Sequence, residues 1–381
     1  AGTNGVVLTG DLFNLYVFME ITAIASYALV AFEGEDEDLE ASFKYGVLGG
    51  LSSAAILIGI SLLYGMTGTL NMEHLASRLG DSGSAAPVRF ALALFVCGFG
   101  LKAAVVPFHA WLPDAYPAAP APISALLAGI VSKATGLYVL ARLLFNVFGI
   151  TPDLLLLMRW MGGITLVVGG LLALSQWDIK RLFAYSSISQ VGLILLALGL
   201  GTSWGVVGAL YHLVNHAVFK PLLFLNSGQV ERAAGTRDLR QMQRLGPQIP
   251  ITAATSLVGS LALAGIPPFC GFWSKLVIVV AAIQAGHAGW AMVVVVISIV
   301  ALAYQMKVQK EAFYAGVAAE EPPLARGAAG RWRGEPVLIA VPMILLAVGC
   351  LALSLLALTG LRHPLLLGPA AEVLMSGRFG G

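Results

Sequence analysis

About ten stretches of this chain are apolar over the ~20 residues needed to cross a bilayer core, and that length calls for transmembrane helices. They lie near 5–32, 43–66, 88–108, 121–147, 154–175, 181–201, 205–228, 250–286 (broken), 289–315 and 335–360. Of the 381 residues, 58% are hydrophobic and 11% charged, and the mean hydropathy is +0.85. An ordinary soluble domain is excluded, and the expected fold is an all-α polytopic membrane protein. The longest polar connections are 33–42, 67–87, 229–248 and 316–334. The acidic run EGEDEDLE (33–40) reads as a solvated loop.

Alternation of the spans sorts the basic residues onto two sides. Lys44, Lys180, Arg181, Arg232, Arg237, Arg240, Arg244, Lys307, Lys310, Arg326, Arg331 and Arg333 fall on one; Arg78, Arg89, Arg142, Arg159, Arg362 and Arg378 fall on the other. The positive-inside rule then places the 229–248 loop in the cytoplasm and residue 1 outside.

The four remaining lysines, Lys102, Lys133, Lys220 and Lys275, lie inside apolar stretches, where a charge costs roughly 2.5–3.5 kcal/mol on insertion scales. Glu20 is the only acid deep within a span, in LYVFMEITAIASY; Asp11 is near a helix start. An isolated carboxylate in hydrocarbon would be protonated, whereas a lysine partner keeps it charged, and Lys102 is the candidate partner. Such a pair could also be purely structural. His212, His216 and Lys220 recur every fourth residue in YHLVNHAVFK and so share one helix face. Imidazoles and amines in a row can pass protons through water. A hydrogen-bonded polar face or a metal pair would have the same spacing, but an HExxH carboxylate and a third ligand are missing. A lysine enclosed like Lys133 can exchange its proton near physiological pH. Ser132 and the hydroxyls and amide of AYSSISQVG (Tyr185, Ser186, Ser187, Ser189, Gln190) could hold water between these groups, or bond only to a neighbouring helix. His109 reads as interfacial; His74, His287 and His363 read as loop or interface residues.

Two spans are broken by proline. KAAVVPFHAWLPDAYPAAPAP carries Pro107 shortly after Lys102, and AGIPPFCGFWSK carries Pro267 and Pro268 shortly before Lys275. A proline frees a backbone carbonyl, which lipid tolerates only beside protein or a water-filled cavity. Paired broken helices in corresponding halves mark inverted-repeat transporters.

Cys97, Cys270 and Cys350 are far apart in sequence and read as small core residues. There is no P-loop, dinucleotide fingerprint, haem or iron–sulfur motif, or nucleophile elbow, so no cofactor and no redox or hydrolytic site is expected. The chain opens on AGTNGVVLTG without an initiator Met, which suggests a fragment.

At these residues the chain resembles the antiporter-like subunits shared by respiratory complex I, membrane-bound hydrogenases and Mrp-type cation/proton antiporters. The matching segments are LTGDLFNLYVFMEI, FGLKAAVVPFHAWLPDAYPAAPAPISALLAGIVSK, DIKRLFAYSSISQVG, LYHLVNHAVFKPLLFL and LAGIPPFCGFWSK. The wording DLFNLYVFMEI looks most like the Mrp D subunit. The resemblance implies a proton path through Glu20, Lys102, Lys133, His212, His216, Lys220 and Lys275, the last position being glutamate in some relatives. It implies two inverted half-channels, one in residues 1–148, lacking its N-terminal helices, and one in 149–316. Residues 317–381 would hold a loop, a last helix and a tail. The expected function is a proton or Na+/H+ translocating subunit in the cell inner (plasma) membrane, partnered by other membrane subunits and not by nucleic acid. Its alternatives are the proton-pumping subunit of a complex I-like or hydrogenase complex, and a non-conducting structural subunit.

Overall fold

The computed structural model describes residues 1–82, 86–242, 244–314, 335–360 and 367–376, and their regular structure is helical apart from two isolated bridges. The first expected span is divided. Helix α1 (Gly2–Leu8) ends before α2 (Leu12–Val30), because the Asp11 carboxylate accepts the Phe13 and Asn14 N–H groups and starts a new helix. Helix α3 (Asp36–Thr67) begins inside the acidic run that read as a loop. Asp36, Glu37 and Asp38 occupy its first turn, where the helix dipole favours acids. The 67–87 connection contains α4 (Met72–Ser82), which buries Met72, Leu75 and Leu79. Its polar residues outnumber that stripe, so hydropathy misses it.

The chain continues as α5 (Ala86–Lys102), α6 (Leu112–Ala118), α7 (Ala121–Val147), α8 (Pro152–Ser175), α9 (Ile179–Leu198), α10 (Ser203–Ala234), α11 (Pro250–Ala264), α12 (Cys270–Gln284), α13 (Ala288–Tyr314), α14 (Val337–Gly360) and α15 (Leu367–Ser376). Seven of the described helices are long and apolar enough to cross a membrane unaided. Three further passes complete the expected set: α5, which stops at Lys102; α10, made less apolar by its histidines and Lys220; and the broken pair α11–α12. The protein is a multi-pass membrane protein.

The two halves repeat one pattern at an offset of 167 positions. Helices α3 and α10 both have 32 residues and end on a left-handed glycine, Gly68 and Gly235. Helices α7 and α13 both have 27 residues and close in a π-helical turn, Leu143–Val147 and Lys310–Tyr314. The caps of α2 and α9 each bridge to the strand-like residue sixty positions on, Asp11 to Asn71 and Asp178 to Asp238. These bridges lie at opposite ends of the bundle, so the halves are inverted.

Charges gather at one end. Asp114 binds Lys44 and Arg181, each at 3.3 Å, and Arg237 holds Glu37 at 2.9 Å and Asp178 at 3.3 Å. Burial raises the Asp178 carboxyl above its usual range, against the opposing N–H bond from Arg181 and the charge of Arg237. At the other end Arg142 and Arg159 donate to the carbonyls of Thr9 and Gly199. This agrees with the expected sorting; Arg326, Arg331, Arg333, Arg362, His363 and Arg378 lie outside the described residues. Lys180 is the exception to its surface reading: it is buried on Glu231 at 2.8 Å.

Close approach is set by glycines. A Cβ on Gly162, Gly169 or Gly192 would fall within 2.5 Å of a backbone nitrogen on the facing helix, so α8 and α9 touch along their backbones.

Candidate functional site

The first station joins α2, α3 and α5. Lys102 Nζ lies 3.5 Å from Glu20 Oε1, so the expected pair is in contact. Ser53 bridges it, donating to Glu20 Oε1 and accepting from Lys102 Nζ at 3.2 Å. The Lys102 side chain is 8% exposed and that of Glu20 27%, so the lysine lies on the inner side of the pair. A cavity of about 20 Å³, room for a single water, touches Lys102, Tyr27, Tyr45 and Thr135.

Two glycines place Lys133 on α7. A Cβ on Gly136 would meet the Ala103 backbone at 2.7 Å, beside Lys102; one on Gly129 would meet Pro221 at 2.5 Å, beside Lys220. The helix therefore presses against both neighbouring stations. It is wound in π turns at Leu127–Val131 and Lys133–Tyr138, a winding frequent at functional sites. Lys133 is 2% exposed and donates to Ser132 Oγ at 3.0 Å, which also accepts from the Tyr116 hydroxyl.

The remaining stations lie along α10 and the second break. His212, His216 and Lys220 are all fully buried. Lys220 donates to the Phe183 carbonyl at 2.9 Å and to Ser186 Oγ. His216 has no hydrogen-bond partner among the described residues, but lies within electrostatic reach of Lys133, Lys220 and His212. His212 is bound at both ring nitrogens, by Gln190 at 3.0 Å and Ser274 at 2.9 Å. Ser274 precedes Lys275, whose Nζ donates to the Leu263 and Ala264 carbonyls at 2.7 and 3.1 Å. These are carbonyls freed where α11 ends at left-handed Gly265.

The seven titratable groups thus run from the partly exposed Glu20 carboxylate, through Lys102, to five buried groups ending at Lys275. Amines and imidazoles so placed can pass a proton between them wherever water fills the gaps.

Sequence reasoning missed Ser53 and Tyr116, which follow no spacing rule, and did not join Ser132 to Lys133. The AYSSISQVG polar groups divide their roles: Ser186 and Gln190 bind the row, while Ser187 bonds within its own helix and Ser189 bonds Leu166 of α8. Cys270 and Cys350, distant in sequence, face each other as free thiols.

Residues 9–301 match the family model described as NADH:quinone oxidoreductase/Mrp antiporter, TM. The N subunit of the NADH-quinone oxidoreductase of Desulforudis audaxviator is 37% identical over 363 residues, 93% of this chain and 72% of that protein. The D subunit of the Na(+)/H(+) antiporter of Alkalihalophilus pseudofirmus is 37% identical over 318 residues, 82% of this chain and 64% of that protein. The chain therefore spans about two thirds of the length of these relatives. Among solved structures, a chain of the Mrp complex from Dietzia sp. superposes with a TM-score of 0.86 at 31% identity, covering 98% of this chain and 76% of its own. One from respiratory complex I of Thermus thermophilus gives 0.75 at 29% identity, covering 97% and 77%. The chain belongs to the NADH:quinone oxidoreductase/Mrp antiporter transmembrane family.

Proposed function

We propose that this chain is a proton-translocating membrane subunit of a multisubunit cation/proton antiporter. The carrying observation is the Glu20–Ser53–Lys102 station at the head of a buried row that ends on Lys275 at the second helix break. Lys102 can rest on Glu20 or turn inward towards the single-water cavity. Breaking its ion pair changes its affinity for a proton, and so couples charge movement to protonation. Lys133, His216, Lys220, His212 and Lys275 then hand the proton along. In this reading residues 1–148 and 149–316 are two inverted half-channels, each around a proline break, and 317–381 lies outside them. The charged end with the 229–248 loop faces the cytoplasm, and the membrane is the cell inner membrane.

A second reading has its own support, since the oxidoreductase relative covers 93% of the chain. Here the same row serves a redox complex and moves protons only when partner subunits transfer electrons. Purification of the tagged protein in mild detergent separates the two: small hydrophobic partners alone favour an antiporter, whereas iron–sulfur or flavin subunits favour a redox pump. Flux measured with and without Na+ assigns the second ion. The row itself is tested by Lys102→Ala, which should abolish proton flux while the complex still assembles; unchanged flux refutes it.

A further inference from the structure

Beyond the row, a polar ladder runs between α11 and α13. Ser260 Oγ donates to Gln305 Oε1 at 3.0 Å, and Gln309 Nε2 donates to Ser256 Oγ at 2.8 Å and to Ser260 Oγ at 2.9 Å. All four side chains are at most 3% exposed. Packing between two transmembrane helices does not need so many polar groups, and they are not all satisfied. Gln305 Nε2 and Gln309 Oε1 have no hydrogen-bond partner among the described residues.

The ladder has two ends. At the inner end the buried Tyr304 hydroxyl also has no hydrogen-bond partner among the described residues, and it lies near Ser186, the hydroxyl that receives Lys220. At the outer end Gln309 also lines a surface groove of about 520 Å³, together with Lys307, Lys310 and Glu311. That groove opens at the charged end of the bundle. From Ser260 to the start of α11 at Pro250 is about 15 Å of helix rise.

The inverted repeat shows that the ladder is peculiar to one half. At the offset of 167, Gln305 and Gln309 correspond to Tyr138 and Arg142. Those two side chains donate to the carbonyls of Val7 and Thr9 at the opposite end. The first half closes the position that the second half lines with amides and hydroxyls.

We propose that the α11–α13 ladder is a hydrated proton access branch joining the charged surface to Lys220 through Gln309, Ser256, Ser260, Gln305 and Tyr304. The assignment rests on the translocation reading. Each hydroxyl accepts a proton from the water on one side as it releases its own to the water on the other, so the relay leaves every group unchanged. The amides orient water and carry no proton.

The experiment uses the assembled complex in vesicles. Ser260→Cys is made in a Cys97→Ser background, because Cys97 is the exposed native thiol while Cys270 and Cys350 are buried. A small membrane-impermeant methanethiosulfonate is then applied from either side. The branch predicts modification of the Ser260→Cys variant from the side of the 229–248 loop only. It also predicts that Gln309→Leu slows proton flux per assembled complex by at least roughly tenfold. A Ser260→Cys thiol unreactive from that side, or a Gln309→Leu flux equal to wild type, overturns the branch. Flux that survives Lys102→Ala refutes the row instead, while labelling still reports the branch.

Discussion

Removal of the Ser53 hydroxyl is the most discriminating perturbation of the first station. Ser53→Ala leaves Glu20 and Lys102 in place at 3.5 Å but deletes the two hydrogen bonds that tie them together. The Coulomb attraction, about 5 kcal/mol at an effective dielectric near 20, is untouched. Each deleted bond involves a charged partner and is worth about 1.5–3 kcal/mol. Losing the equivalent of one of them from the paired state lowers a pairing-limited flux roughly ten- to hundredfold, at about 1.4 kcal/mol per decade. Proton uptake into vesicles, read with a pH-sensitive dye and normalised to assembled complex, measures it. The internal control is the adjacent residue. Ser52 donates to the Gly98 carbonyl at 2.7 Å and touches no member of the row. Ser52→Ala should cost about 1 kcal/mol of stability with flux per complex unchanged. Equal flux in Ser53→Ala and wild type would refute the bridged pair as a working element.

Three further outcomes are expected. Gly136→Ala puts a methyl 2.7 Å from the Ala103 backbone, so about 1–3 kcal/mol of overpacking should lower the melting temperature and separate Lys133 from Lys102, reducing flux as well. Lys275→Leu strands the Leu263 and Ala264 carbonyls in an apolar interior at about 1–3 kcal/mol each, and thermal unfolding in detergent should show the loss. Arg237→Ala removes pairs that are partly exposed, so each should contribute less than about 1 kcal/mol, and the melting difference from wild type should shrink in high salt.

Most spans, both breaks and the placing of Glu20, the lysines and the helical histidines inside spans were legible because each violates its surroundings. A lysine or carboxylate in an apolar stretch is conspicuous, and a proline in a helix is too. The partners were not legible. Ser53 is one of two neighbouring serines on α3, and only the fold distinguishes the one facing Glu20 from the one facing Gly98. Lys180 read as a surface residue because it follows a helix cap beside Arg181. Its burial depends on Glu231, which arrives from the far end of α10. The acidic run was misread because composition does not separate a solvated loop from a helix N-terminus. The ladder escaped notice because neutral serines and glutamines within spans look like ordinary packing.

The row contains Glu20 as its single carboxylate, and in the proposed function that asymmetry would set how protons move. Lys133, His216 and Lys220 stand within electrostatic reach of one another with no acid between them. Positive charge on one makes positive charge on the next unfavourable. Under the proposed translocation reading the interior would then hold few protons at a time and would work as a single-file queue in which each arrival evicts the occupant ahead. A fluctuation at Glu20 and Lys102 would then be felt at Lys275 as a shift in occupancy, with no helix needing to move between them.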